Sequence, residues 1–247
     1  MAETFIAALT TDLVWAMVIT FAGGLMLGYT GWGGAMVSMP FLTILYGPVE
    51  ALVILMIGAV LLTAHLFPAA ARIADWQRMT PMLIAMAVCV PIGSLLLFAL
   101  EPNLIRRIIG WLIIVASVLI LSGWRYRGPQ GAGASAVTGV ISGLINGFVG
   151  LGGPPLVIYM LALNQTAAVQ RANILVFMAI TSVLILGSTF VGGGATTEAG
   201  ILGTLTAPFQ WVGGWLGARL FLKLPAELFK KFSLVALIVL GGIVAFI

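Results

Sequence analysis

The chain has 247 residues, 62% hydrophobic and 7% charged, with a formal net charge of +4, whereas an ordinary soluble domain carries about 25% charged residues. That composition excludes a water-soluble globular protein. The eleven Lys and Arg are scattered through short loops, which excludes a nucleic-acid-binding face. The one cysteine, Cys89, lies within an apolar run, excluding an intrachain disulfide, a CxxC pair and a thiolate metal cluster, so no metal or other cofactor is expected.

Apolar runs occupy 12–27, 51–71, 80–100, 108–122, 135–163, 172–191, 200–222 and 232–247. Most are long enough for a hydrocarbon core of about 30 Å, which takes around 20 helical residues. They are continuously apolar, unlike the alternating segments of about 10 residues in a membrane β-barrel. The expected fold class is therefore an all-α polytopic membrane protein. The N-terminal stretch 1–15 carries Glu3 and Asp12 but no Lys or Arg. A signal peptide needs a basic region there, so the first span is expected to be retained.

Gly28-Tyr-Thr-Gly-Trp-Gly-Gly34 follows the first run, and Gly147-Phe-Val-Gly-Leu-Gly-Gly153 falls within the fifth, 119 residues later. Both read G-aromatic-x-G-x-G-G. At an offset of 124, Gly93 meets Gly217 and "LIRRIIG" (104–110) meets "LFKKFSL" (228–234). Two blocks recurring in order indicate a duplication: a first transmembrane repeat at 1–122, a polar linker at 123–133 and a second repeat at 134–247.

Suppose each glycine-containing segment dips in and returns as a broken helical hairpin while the other three segments of its half cross. The repeats are then inverted. With the 72–78 loop inside, nine basic residues (Arg72, Arg78, Arg125, Arg127, Arg171, Arg219, Lys223, Lys230, Lys231) lie at the cytoplasm and two (Arg106, Arg107) outside. Were every segment to cross once, the better orientation would give seven against four. Basic residues collect on the cytoplasmic side, so the inverted arrangement is expected, with both termini outside and the protein multi-pass in a bacterial inner membrane.

Breaking 135–163 near its middle gives two arms of about 12 residues, each about 18 Å long. Non-helical backbone at that depth is tolerated only where it is buried in protein or lines a cavity. The glycines permit the turn and a close approach of ligand to main chain, and Pro154 suits the start of a returning arm. Both returning arms would begin at the membrane centre, each presenting unpaired N–H donors and about half a positive charge. That is an anion site of the kind found between inverted repeats. The expected substrate-binding residues are Gly31, Trp32, Gly33, Gly34, Asn146, Gly150, Leu151, Gly152, Gly153 and Arg171. Asn146 would supply an amide donor and Arg171 a guanidinium fork. Tyr159 is a second aromatic candidate for the cavity wall, and His65, the one histidine, is a candidate proton carrier or substrate contact.

The two motifs and their spacing resemble the TauE/SafE family of sulfite exporters, also described as sulfite/organosulfonate permeases. The resemblance runs from about Phe21 to Ile247 and takes in the Gly93 and Gly217 helices and the basic pairs Arg106-Arg107 and Lys230-Lys231. It departs from the family pattern at Trp32 and Ala35 in the first motif and at Pro154-Pro155 in the second. It implies export of a small sulfur-containing anion such as sulfite, or an organosulfonate such as sulfoacetate.

The reading is thus a transporter and not an enzyme. No G-x-x-x-x-G-K-[ST] pattern occurs. Asp12, Glu50, Asp75, Glu101, Glu198 and Glu227 fall near span ends or loops, so the common carboxylate cation site is missing and membrane potential is the expected drive. The alternatives are an anion channel and a proton-coupled permease for another small anion. An intramembrane hydrolase built on Ser142 and His65 is disfavoured by the duplication. The expected partners are the small anion and the lipid bilayer, with a homodimer allowed.

Overall fold

The computed structural model describes residues 2–124, 126–221, 238, 241 and 242. Arg125, Lys223, Lys230-Lys231 and most of the expected last span, 232–247, lie outside the described residues. The described chain is helical throughout: α1 Ala2–Thr30, α2 Gly34–Tyr46, α3 Pro48–Ile73, α4 Trp76–Ala99, α5 Pro102–Leu121, α6 Ala132–Val149, α7 Gly153–Ala162, α8 Ala167–Val191 and α9 Thr197–Phe221. Among the described residues six stretches are long and apolar enough to cross a membrane: Thr11–Thr30 within α1, and α3, α4, α5, α6 and α8. The protein is a multi-pass, all-helical membrane protein.

Local chemistry sets the helix starts. Asp75 caps α4 by accepting from the Arg78 N–H, and Thr166 caps α8 by accepting from the Val169 N–H. Pro48 and Pro102 open α3 and α5, where a missing N–H costs nothing. Because Pro102 starts α5, that helix takes in Arg106 and Arg107 and begins six residues before its apolar run.

The element boundaries recur at one spacing. α1 and α6 end at Thr30 and Val149, α2 and α7 begin at Gly34 and Gly153, and α3 and α8 begin at Pro48 and Ala167, each pair 119 residues apart. The packing repeats too, and it is exchanged between the halves: α1 lies against α9, and α6 against α4. A Cβ on Gly147 would overlap the Val90 carbonyl, and one on Gly28 the Gly214 carbonyl. Gly93 sits in the same way on Leu144 and Phe148, and Gly217 on Leu25 and Tyr29. Without Cβ atoms the backbones touch, which is how helices associate where lipid removes the hydrophobic drive. Ser94 Oγ adds a bond to the Gly147 carbonyl (3.2 Å). The register runs the same way along both partners (Gly139 on Met82, Gly147 on Val90; Gly24 on Gln210, Gly28 on Gly214), so each pair is parallel.

Polar contacts sort the loops into two ends. Gln165 Nε2 donates to Asp75 Oδ2 (2.7 Å), the Asp75 N–H to Asn173 Oδ1 (2.8 Å), Arg78 Nη1 to the Gln130 carbonyl (3.2 Å) and Gln130 Nε2 to the Ala162 carbonyl (2.8 Å). The α3–α4 turn, the linker and the α7–α8 turn therefore share one end. Elsewhere Arg106 Nη2 donates to the Thr43 carbonyl (3.2 Å), joining the start of α5 to the last turn of α2, where a cation suits the helix dipole.

Candidate functional site

Both glycine motifs break their helices, by different means. After α1, Gly31 (φ 82°) and Gly33 (φ 81°) are left-handed, a conformation that costs other residues roughly 1–2 kcal/mol. Thr30 Oγ1 accepts from the Trp32 N–H at 3.2 Å and has its one proton to share between the Met26 carbonyl at 2.8 Å and the Trp32 carbonyl, which ties this turn to the end of α1. After α6 only Gly150 (φ 73°) is left-handed, while Gly152 has an ordinary φ of −74°. There Asn146 closes the turn, its Oδ1 accepting from the Gly152 N–H at 2.9 Å.

The arms are unequal, which corrects the expectation of two arms of about 12 residues. α6 has 18 residues and α7 has 10, about 27 Å and 15 Å at 1.5 Å per residue. Helix α6 starts within the linker at Ala132, and the break at 150–152 lies beyond the middle of the apolar run. Helix α2, with 13 residues, reaches about 20 Å. Neither α2 nor α7 is long enough to cross.

The two breaks meet. A Cβ on Gly153 would lie 3.6 Å from the Trp32 ring, and one on Gly150 3.9 Å from the Ala35 Cβ. Between them is a cavity of about 50 Å³, lined at the breaks by Gly33, Gly34, Asn146, Gly150, Leu151 and Gly153. α3, α8 and α9 complete its wall with Thr63, Thr181, Ser182 and Gln210 among others, and among the described residues no charged side chain lines it.

The other expected site residues are not in the lining. Gly31 lies behind the break, 3.6 Å from the Arg171 stem when given a Cβ, and Trp32 is buried against Gly153. Gly152 faces α6, where a Cβ would overlap the Ser142 carbonyl and approach the Asn146 amide to within 2.6 Å. Its need for glycine is therefore packing against α6 and not ligand approach. Arg171 Nη2 donates to the Gly28 carbonyl at 3.0 Å, serving the C-terminal end of α1. Tyr159 bonds Ser135 Oγ at 2.8 Å, away from the cavity. His65 is exposed, its ring 5.9 Å from that of Trp211, whereas Ser142 is fully buried on α6.

The donor inventory is asymmetric. At α2 the first helical bond runs from the Val37 N–H to the Gly33 carbonyl, so the N–H groups of Gly34, Ala35 and Met36 have no intrahelical acceptor. At α7 the start is Gly153-Pro154-Pro155, and two prolines remove two of those donors. The Gly152 N–H is already held by Asn146. The second break instead offers Asn146 Nδ2, on a residue 2% exposed, buried without a hydrogen-bond partner. Gln210 Oε1, on a residue 4% exposed, is likewise buried and unpartnered. Gly58 makes room for it, since a Cβ there would overlap that oxygen. The site is thus an uncharged cavity with amide donors at a helix N-terminus, suited to an anion of low charge. Gln210 was missed from sequence. Its signal was a lone amide within the 200–222 run, of the same kind as Asn146.

Residues 16–244 match the family described as "Sulfite exporter TauE/SafE". A "Probable membrane transporter protein MamO" from Magnetospirillum gryphiswaldense is 34% identical over 111 residues, which cover 41% of this chain and 17% of that protein's length. No solved structure matches. With the family match extending over nearly all of the chain, this protein belongs to the TauE/SafE family of membrane transporters.

Proposed function

We propose that the protein exports a small sulfur-containing anion, sulfite or an organosulfonate, through the cavity between the two glycine breaks. One observation carries this reading: the first N–H groups of α2, which have no intrahelical acceptor, and the unpartnered Asn146 Nδ2 come from opposite halves of the chain, and both Asn146 and the start of α2 line one cavity. The positive end of the α2 dipole adds about half a charge.

The two repeats are inverted in this reading. In support, the first broken hairpin (α1–α2) and the start of α3 belong to the end opposite the α3–α4 turn, while α6–α7 returns to that turn's own end. With that turn cytoplasmic, both termini lie outside a bacterial inner membrane, and the first and second repeats flank the linker at 123–133. An inside-negative potential favours outward movement of a monoanion by about 2.3 kcal/mol per 100 mV, a concentration ratio of roughly fiftyfold. No coupled ion is then needed, and the outward exposure of His65 beside Trp211 speaks against a proton relay through it.

The test is flux. In proteoliposomes loaded with sulfite, an imposed inside-negative potential accelerates efflux in the absence of pH and Na⁺ gradients. Efflux that ignores voltage and follows an imposed proton gradient would replace this mechanism with proton coupling.

A further inference from the structure

The cavity's single unmatched acceptor carries information that its donors do not. Buried polar groups are nearly always hydrogen-bonded, so an orphan marks a missing partner. Asn146 Nδ2 and the α2 amides require an acceptor, which any oxyanion supplies. Gln210 Oε1 requires a donor, which a fully ionised oxyanion lacks.

Charge points the same way. The lining comes from α1, α2, α3, α6, α7, α8 and α9. The described titratable groups on those helices outside residues 2–10 are Asp12, Tyr29, Tyr46, Glu50, His65, Arg72, Tyr159, Arg171, Glu198 and Arg219, and none lines the cavity. Burying an ion without a partner charge is costly, and half a helix-dipole charge offsets one negative charge far better than two.

We infer that the cavity takes the protonated monoanion, hydrogen sulfite, with its oxygens on the α2 amides and Asn146 Nδ2 and its proton directed to Gln210 Oε1. Gln210 is then the residue that distinguishes hydrogen sulfite from dianions of similar size such as sulfite itself and sulfate. This rests on the anion-site reading above and narrows it to one protonation state.

Chlorate makes the test clean, because it has the pyramidal shape of sulfite, one negative charge and no proton near neutral pH. Binding to the purified full-length protein is measured by titration calorimetry at about pH 5.5 and about pH 8.5. Chlorate affinity is expected to be equal at the two values, whereas sulfite affinity falls by about tenfold or more as the ligand loses its proton. Sulfate binds at neither. Gln210→Met, of similar length and unbranched, is expected to weaken sulfite at the lower pH by about tenfold and leave chlorate within about twofold, which also shows that the variant is folded. Sulfite affinity that holds or rises at the higher pH would overturn the inference, as would a Gln210→Met protein that loses both ligands equally. Binding of neither anion at either pH would remove the anion site itself, and with it the export reading.

Discussion

On the proposed reading Asn146 performs two tasks with the two ends of one amide, and substitution can separate them. Its Oδ1 holds the Gly152 N–H at 2.9 Å and so shapes the second break, while its Nδ2 is buried with nothing to bond. Asn146→Asp keeps an acceptor for Gly152 and removes the donor. The loss is one hydrogen bond to a charged ligand, about 1.5–3 kcal/mol, or roughly 10- to 150-fold in sulfite affinity, and a negative charge at that position adds repulsion. Asn146→Leu removes both ends. It loses the same binding and also orphans the buried Gly152 N–H, lowering stability by about 1–3 kcal/mol. Titration calorimetry with sulfite and thermal unfolding of each purified variant give the two readouts. The expected pattern is weak binding in both variants, with the larger drop in melting temperature in the leucine protein. An Asn146→Asp protein that binds sulfite within twofold of the parent would refute the assignment of Nδ2 to the ligand.

Gly147→Ala puts a methyl group on the Val90 carbonyl and must part α4 from α6; a fall in melting temperature well beyond that of Gly187→Ala, where a Cβ meets nothing within 4 Å, checks this. His65→Ala is expected to leave sulfite efflux within about twofold of the parent at each pH, because the cost of an exposed substitution is small; proteoliposome flux measured across a pH series is the readout. In a Cys89→Ser background, single cysteines at Gln130 and Ala195 are expected to label from opposite sides, cytoplasmic for 130 and external for 195. Labelling of both from one side would end the inverted arrangement.

The glycine motifs made the breaks legible in the sequence, because no other residue type permits a left-handed turn amid an apolar run at so little cost. Gly93 and Gly217 were legible as a matched pair for a related reason: bare backbone is needed wherever α4 meets α6 and α9 meets α1. Which side chains face the cavity was not legible. Gly31, Gly33 and Gly152 look alike in a motif, yet one backs onto Arg171, one lines the cavity and one packs on Ser142. Arg171 is near the motif in space but bonds the Gly28 carbonyl. Gln210 reaches the cavity from a helix whose position depends on α1, a contact that no local pattern encodes. The loss of donors at Pro154-Pro155 was readable from residue type alone, and it matters only once α7 is seen to begin there.

The exchanged pairing of helices also sets an order of manufacture. Helix α6 meets a partner already made, since Gly147 lies on Val90, only 57 residues earlier. Helix α1 has no such partner. Its glycine face must wait for α9, where Gly28 finds Gly214 after a further 186 residues of synthesis. The two broken hairpins thus differ in timing: the helix that α6 packs on precedes it in the chain, whereas the helix that α1 packs on is made only when most of the chain is complete. A fragment ending in the linker would have α1 without α9 and α4 without α6.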